Sequence, residues 1–229
     1  DGQVRAIASG ALTDGKAVII NSDGTVSVVS GNDDGAGTPT QISTDSNLMQ
    51  MQAIYDPDSG KVVIAYHRDT SSYYGAAVVG TVSGTSISFG SITKFQPDNS
   101  QGMDDFTIAY DTNEDKVLLV YKDKDNSNYG TAIVGTVDSS DNSISFGSAA
   151  VFNNGDTNFN SATFDSNGNK IVISYQDSSN SNYGTAVVGI VSGTSISFGA
   201  PEVFESAIIR YTAATFDSNS NKVVIAYRD

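Results

Sequence analysis

The sequence predicts an all-β protein, a β-propeller whose blades are four-stranded antiparallel sheets. One apolar phrase occurs four times, as KVVIAY, KVLLVY, KIVISY and KVVIAY, with its lysines at residues 61, 116, 170 and 222. This spacing is typical of repeat architectures. Val, Ile, Thr, Tyr and Phe fill short segments between clusters of Gly, Ser, Asn and Asp, the composition of strands and turns. No window places apolar residues at helical spacing, so almost no helix is expected.

The first two strands of each repeat flank a polar turn. A strand-like segment ends in an aromatic residue, a turn rich in Asp, Asn, Ser and Gly follows, and the KVVIAY phrase forms the second strand. The aromatic residues are Tyr55, Tyr110, Phe164 and Phe216. This order predicts a hairpin in every repeat.

The third and fourth strands follow within the same repeat. YGAAVVGTV, YGTAIVGTV and YGTAVVGIV begin at residues 74, 129 and 183, and SISFG follows each of them. A further phenylalanine recurs after SISFG, at Phe95, Phe152 and Phe204. Four short apolar segments with no helical crossover between them predict one propeller blade.

The repeats predict a single domain over residues 1–229, and its units are about 51–105, 106–159, 160–211 and 212–229. The last unit contains only two strands. Residues 16–42 include KAVIINSDGTVSVVSG, which has the pattern of a third and a fourth strand. We therefore expect four blades, the last one closed by both ends of the chain, which would hide the edge strands. A larger ring is the alternative if the chain is a piece of a longer array.

Charge and composition restrict the partners. The net charge of −14 argues against nucleic acid and anionic membranes, which select for clustered Lys and Arg. No apolar run is long enough for a membrane-spanning helix, so membrane insertion is not expected. The chain contains no cysteine, which excludes disulfides and zinc–thiolate sites. An oligomer remains compatible with the sequence.

The turns between the first and second strands carry oxygen ligands at alternate positions. Asp111, Asn113 and Asp115 form the best candidate for a Ca²⁺ site, because this ion prefers several carboxylate and amide oxygens. No copy has the full calcium-loop signature. The favoured interpretation is that Asp and Asn cap the turn through local hydrogen bonds. No other cofactor is expected.

The loops that lead into the third strands combine amides with aromatic rings. Sugars need polar partners for their hydroxyl groups and an aromatic face for their C–H surface. The candidate glycan-binding residues are Tyr74, Asn126, Asn128, Tyr129, Asn180, Asn182 and Tyr183. The alternative is structural: the following glycines permit a sharp entry into the strand, and the tyrosines pack between blades.

The sequence offers little for catalysis. His67 is the only histidine, and there is no cysteine nucleophile. We expect a protein that is not an enzyme. A glycoside hydrolase-like propeller is the alternative, and it would need two carboxylates about 5–9.5 Å apart in a pocket.

Several phrases resemble repeats of virion and tail-fibre-like structural proteins of marine bacteriophages, including those of cyanobacteria. They are SGTSISFG, NSNYGTAVVG, DSNSNKVVIAYRD and SGALTDGKAVIINSDGTVSVV. The resemblance implies an extracellular, virion-borne module whose partners are cell-surface glycans or neighbouring virion proteins. We therefore expect a lectin-like adhesion module of a phage fibre. A purely structural virion scaffold is the alternative.

Overall fold

The computed structural model describes residues 7–8, 18–20, 25–28, 39–45, 47–68, 73–99 and 102–229. Within these ranges the chain is built from strands, and its one helical element is the three-residue 3₁₀ turn Lys124–Asn126. The all-β prediction is confirmed. None of the described segments forms a helix with the length and apolar character needed to cross a bilayer.

Residues 1–39 form one compact body and residues 40–229 another. The smaller body contains β1 (Ile7–Ala8), β2 (Val18–Ile20) and β3 (Thr25–Val28). β3 lies in the middle of their sheet, parallel to β1 and antiparallel to β2. The predicted closure of the last blade by residues 16–42 falls largely outside the described residues and stays a prediction.

The larger body repeats one arrangement of strands. The first unit contains β4 (Leu48–Asp56), β5 (Lys61–Arg68), β6 (Tyr73–Ser83), β7 (Ser86–Phe89) and β8 (Thr93–Asn99). The second contains β9 (Met103–Asp111), β10 (Lys116–Asp123), β11 (Tyr129–Asp138), β12 (Ser143–Phe146) and the first part of β13 (Ala150–Asp165). The third contains the rest of β13, β14 (Lys170–Asp177), β15 (Tyr183–Ser192), β16 (Ser195–Phe198) and β17 (Glu202–Ile208). The fourth contains β18 (Arg210–Asp217) and β19 (Lys222–Arg228).

Each of the first three units is an antiparallel sheet whose fourth position is shared by two short strands. In the first unit, β7 pairs with the second half of β6, and β8 pairs with its first half. The second and third units repeat this pairing. The second unit then continues directly into the third, because β13 pairs with β11 through its first part and with β14 through its second.

Glycine and phenylalanine recur together because they touch across two strands. A Cβ atom on Gly75 would lie 2.5 Å from the ring of Phe95, and one on Gly130 would lie 2.5 Å from the ring of Phe152. The third unit has the same contact between Gly184 and Phe204. The ring therefore lies directly on the glycine backbone, where no larger residue fits.

The core lies between successive sheets. Val117, Leu119 and Tyr121 belong to a buried cluster shared with the first unit, which contributes Val63 and Val79. On the opposite face, Leu118 and Val120 belong to a cluster shared with the third unit. Since β10 is buried on both faces, its sequence is a continuous apolar run rather than an alternating one.

A strained backbone position recurs in the first strand of every unit. Gln50, Asp105, Phe159 and Tyr211 have positive φ values of 48°, 47°, 55° and 56°. The pairing of the first strand with the second is irregular beside each of them, as in a β-bulge. Non-glycine residues rarely adopt this conformation, and bulky ones least of all.

Candidate binding site

A cavity of about 520 Å³, largely open to solvent, lies where the first strands of three consecutive units end. Its aromatic walls are Tyr55, Tyr110 and Phe164, the residues that close β4, β9 and β13 ahead of their turns. Thr112, Thr163 and Ser166 line it as well. A volume of this size is typical of a small-molecule site.

The same local sequence places one aromatic ring from each unit at this cavity. In every unit the aromatic residue directly precedes the Asp that begins the turn. The three rings nevertheless differ in burial, since Tyr55 is 59% exposed whereas Tyr110 is 8% exposed. Tyr55 is thus available at the surface, and Tyr110 forms the inner wall.

The hydroxyl group of Tyr110 is held by two carboxylates. Its oxygen lies 2.7 Å from Asp56 Oδ1 and also contacts Asp115 Oδ1. Burial raises the pKa of Tyr110 well above its usual range, and the two carboxylates raise it further. The hydroxyl group therefore stays protonated and keeps the ring in one orientation.

Asp56 is a buried carboxylate that accepts several hydrogen bonds. Its Oδ1 accepts hydrogen bonds from the main-chain N–H groups of Asp58 and Ser59, at 3.0 and 3.1 Å. Burial acts to raise the pKa of Asp56, but the hydrogen bonds from Ser59, Tyr110 and the two main-chain groups outweigh it and lower the pKa. Asp56 is accordingly ionised and ties the turn of the first unit to the aromatic wall.

The carboxyl groups of Asp58 and Asp115 interact across the turns of the first and second units. A hydrogen bond with Asp115 and the negative charge of Asp115 raise the pKa of Asp58. A like charge nearby makes ionisation of Asp58 less favourable. Both residues belong to the turns that follow the lining residues Tyr55 and Tyr110.

The carboxylate oxygen atoms of the predicted calcium site accept hydrogen bonds from groups in or next to the turn. Asp111 Oδ1 accepts from the N–H groups of Asn113 and Glu114, at 2.9 and 3.0 Å, and Asp115 accepts from Tyr110. The same capping occurs at the first residue of the other three turns, Asp56, Asp165 and Asp217. In the part of the chain that the structure describes, no group of three or more His, Asp or Glu side chains could hold a metal ion.

The predicted glycan-binding loops lie at the opposite end of the strands. Tyr129 pairs with Asp123 at the end of β10, about 20 Å along the strand from the turn that borders the cavity. Asn126 and Asn180 are exposed, whereas Asn128, Asn182, Tyr129 and Tyr183 are half-buried. The structure thus separates these residues from the aromatic cavity.

The half-buried asparagines have a conformational reason for their place. Asn128 and Asn182 both have φ of 62°, which asparagine tolerates better than most residues. Their carbonyl groups accept hydrogen bonds from Thr157 N and Ile209 N, where the next first strand begins. This geometry connects each loop to the following unit.

Tyr74 differs from its counterparts in the other units. It is 4% exposed, and its hydroxyl group donates a hydrogen bond to Asp45. Lys94 Nζ lies 4.1 Å from the centroid of its ring. Because this cation covers the ring, Tyr74 has no open face for a sugar in this structure.

The sequence does not predict the cavity, although it places the aromatic residues of the cavity at strand ends. Their recurrence in front of each turn was the available signal. Sequence spacing does not show that rings 54 or 55 positions apart converge on one space. That convergence depends on how successive sheets stack.

Comparison of the chain with protein-family models and with curated proteins finds no match.

Proposed function

We propose that this protein is a non-catalytic, glycan-binding module of the β-propeller type. One observation carries the proposal: aromatic residues of three successive units, together with Thr112, Thr163 and Ser166, line one cavity of about 520 Å³. Aromatic rings suit the apolar C–H face of a sugar, and hydroxyl groups suit its polar rim. The geometry favours the cavity over the loops as the principal site.

The propeller form is part of this proposal. In each of the first three units the second strand pairs with a third strand. Among the described strands of residues 40–229, β19 pairs only with β18. The segment KAVIINSDGTVSVVSG has the pattern to supply that strand and a fourth. Closure would cover an edge that is otherwise open to pairing with other chains.

Deletion of residues 1–42 tests the closure. We expect a lower melting temperature or self-association, because the fourth unit would lose two of its strands. A monomer with unchanged melting would show that the ring is not closed in this way.

An extracellular location on a phage fibre or virion appendage completes the proposal, and it rests on the resemblance of the repeat phrases. The second candidate is a structural virion module that contacts only its neighbours. Exposed apolar side chains on the last units favour it, since such surface commonly marks protein contacts. They are Val188, Ile190, Val203, Ile208 and Val224.

A glycan array separates the two functions. We expect binding that Tyr55→Ala abolishes. Tyr211→Ala is the matched control, because Tyr211 is 60% exposed, lies on a first strand and does not line the cavity. Loss of binding in the Tyr129→Ala, Tyr183→Ala double variant, with Tyr55→Ala unaffected, would move the site to the loops. Absence of any binding on the array would favour the structural module.

A further inference from the structure

The amine of Lys122 lies against a side-chain amide of the next unit. Lys122 Nζ is 2.8 Å from Asn158 Oδ1 and 2.7 Å from Asp156 Oδ1. Because a C=O bond is about 1.2 Å long, Nζ lies within about 4 Å of Asn158 Cγ. Lys122 belongs to β10, and the other two residues belong to β13. An amine, a carboxylate and an amide carbon therefore meet at the boundary between the second and third units.

Hydrogen bonds hold the Asn158 amide in one orientation. Its Nδ2 donates to Ser178 Oγ at 2.6 Å and to Gln176 Oε1 at 3.3 Å, while its Oδ1 faces Lys122. The side chain of Lys122 is 13% exposed. Groups that are held in contact react as if their concentration were very high, and partial burial limits competition by water. The arrangement is thus favourable for a reaction between the amine and the amide.

This combination is specific to one boundary and is not a consequence of the repeat. Lys122 follows the tyrosine that ends the KVLLVY phrase, and Asn158 precedes the bulge residue Phe159. The corresponding pairs at the first and third boundaries are His67 with Asp104, and Gln176 with Arg210. Neither of these pairs combines an amine with an amide in the places of Lys122 and Asn158. The repeated packing of the units therefore does not require the Lys122–Asn158 pair.

We propose that Lys122 and Asn158 form an intramolecular isopeptide bond that links the second and third units. Lys122 Nζ forms a bond with Asn158 Cγ, and the bond between Cγ and Nδ2 breaks. Of the three protons of the ammonium group, Asp156 accepts one, the leaving nitrogen takes one, and one stays on the new amide. The leaving nitrogen departs as ammonia, to which Asp156 returns its proton. The products are the amide and an ammonium ion, and no oxidant or other reactant is consumed.

The bond gives the chain a covalent link that does not need cysteine, which the sequence lacks. It closes the loop between residues 122 and 158 and so restricts the unfolded chain, as a disulfide does. The folded state is stabilised as a result. This inference goes beyond the proposed glycan-binding function and does not depend on it.

The intact mass of the full chain, measured under denaturing conditions, tests the inference. Release of one ammonia molecule predicts a mass about 17 Da below the value calculated from the sequence. After proteolysis, tandem mass spectrometry should find the peptide that contains Lys122 joined to the peptide that contains Asn158. An intact mass equal to the calculated value, after the folded chain has been incubated for several days, would overturn the inference.

Replacement of lysine by arginine provides a variant and its matched control. Lys122→Arg keeps the positive charge but has no amine that can lose its proton, so we expect the full calculated mass and a lower melting temperature. Lys124→Arg should retain the mass deficit, because Lys124 pairs instead with Asp104, at 2.6 Å. A deficit that persists in Lys122→Arg would assign the ammonia loss to another reaction, such as succinimide formation at Asn154 before Gly155, and would overturn the inference.

A time course tests the proton transfer through Asp156. The chain is unfolded in urea and refolded, and its mass is followed. Asp156→Ala should slow the loss of ammonia by about a hundredfold. An unchanged rate in a variant that melts cooperatively would contradict this role of Asp156. The rate in the parent chain should not change with protein concentration, and a rate that rises with concentration would contradict a bond within one chain.

Discussion

Asn160 Nδ2 donates a hydrogen bond of 3.1 Å to the main-chain carbonyl group of Asp105, across the boundary between the second and third units. Asp105 is one of the strained bulge residues, and Asn160 directly follows the next one. The fourth unit has an equivalent contact, in which Thr212 Oγ1 donates to the carbonyl group of Phe159. These two hydrogen bonds connect the first strands of successive units at their bulges.

Replacement of Asn160 should weaken this contact between units. Asn160 is 9% exposed, so Asn160→Ala leaves the Asp105 carbonyl group without this donor in a largely buried place. We expect a loss of about 1–3 kcal/mol in the free energy of unfolding, measured by urea denaturation. Asn180→Ala, at an exposed loop position, serves as control and should change it by less than about 0.5 kcal/mol.

The contact between Gly130 and Phe152 predicts a steric effect. Gly130→Ala would place its Cβ 2.5 Å from the ring, and we expect destabilisation of about 1–3 kcal/mol by denaturant unfolding. Phe152→Leu in the same chain should recover part of this loss. Gly199→Ala is the control, since its Cβ would meet only Val188 O, at 3.8 Å. An effect of Gly130→Ala no larger than that of Gly199→Ala would contradict the assigned contact.

The carboxyl pair at the cavity predicts a pH-dependent stability. The pKa of Asp58 is raised in the folded protein by its hydrogen bond with Asp115 and by the charge of that residue. A raised pKa means that the folded state holds the proton longer, so stability falls as the pH rises through this pKa. Asp58→Asn should therefore raise the melting temperature at pH 7.

The same variant should have little effect at low pH. Below the ordinary pKa of 3.8 the Asp58 side chain is neutral in both the folded and the unfolded chain, and its repulsion disappears. Melting curves of Asp58→Asn and the parent chain at pH 7 and pH 3 measure the difference. A stabilisation that is equal at both pH values would contradict the carboxyl pair.

Removal of the Tyr110 hydroxyl group should also lower the stability of the protein. Tyr110→Phe keeps the ring but removes the donor to Asp56, which is 2% exposed. A hydrogen bond to a buried charged group contributes about 1.5–3 kcal/mol, and we expect a loss of this size in chemical denaturation. Tyr55→Phe alters a residue whose side chain is largely exposed, and it should cost less than about 0.5 kcal/mol.

Local patterns were sufficient to predict most strands. The KVVIAY phrases, the Tyr-Gly segments and the SISF segments all correspond to strands in the three complete repeats. The division of the fourth position into two short strands was not predicted. The division occurs near Gly90 and Gly147, where the chain stops pairing with one half of the third strand before it pairs with the other half. This change of pairing is set by the sheet and not by the local sequence.

The bulges were equally invisible in the sequence. The four strained positions are occupied by Gln, Asp, Phe and Tyr. Positive φ is usually found at glycine, so these residue types do not indicate it. Contacts with the neighbouring unit, such as the bond from Asn160 to Asp105, compensate the local strain. Since that compensation is non-local, residue type at the position does not reveal it.

By itself, the sequence determined the repeat period, the strand segments, the capped turns and the acidic charge, because each depends on residues that are close along the chain. The tertiary structure alone decided that Tyr55, Tyr110 and Phe164 line one cavity and that Asp115 lies near enough to Asp58 to raise the pKa of Asp58. Those side chains come from different units. Their meeting follows from the burial of apolar sheet faces against each other, which sets the placement of successive units.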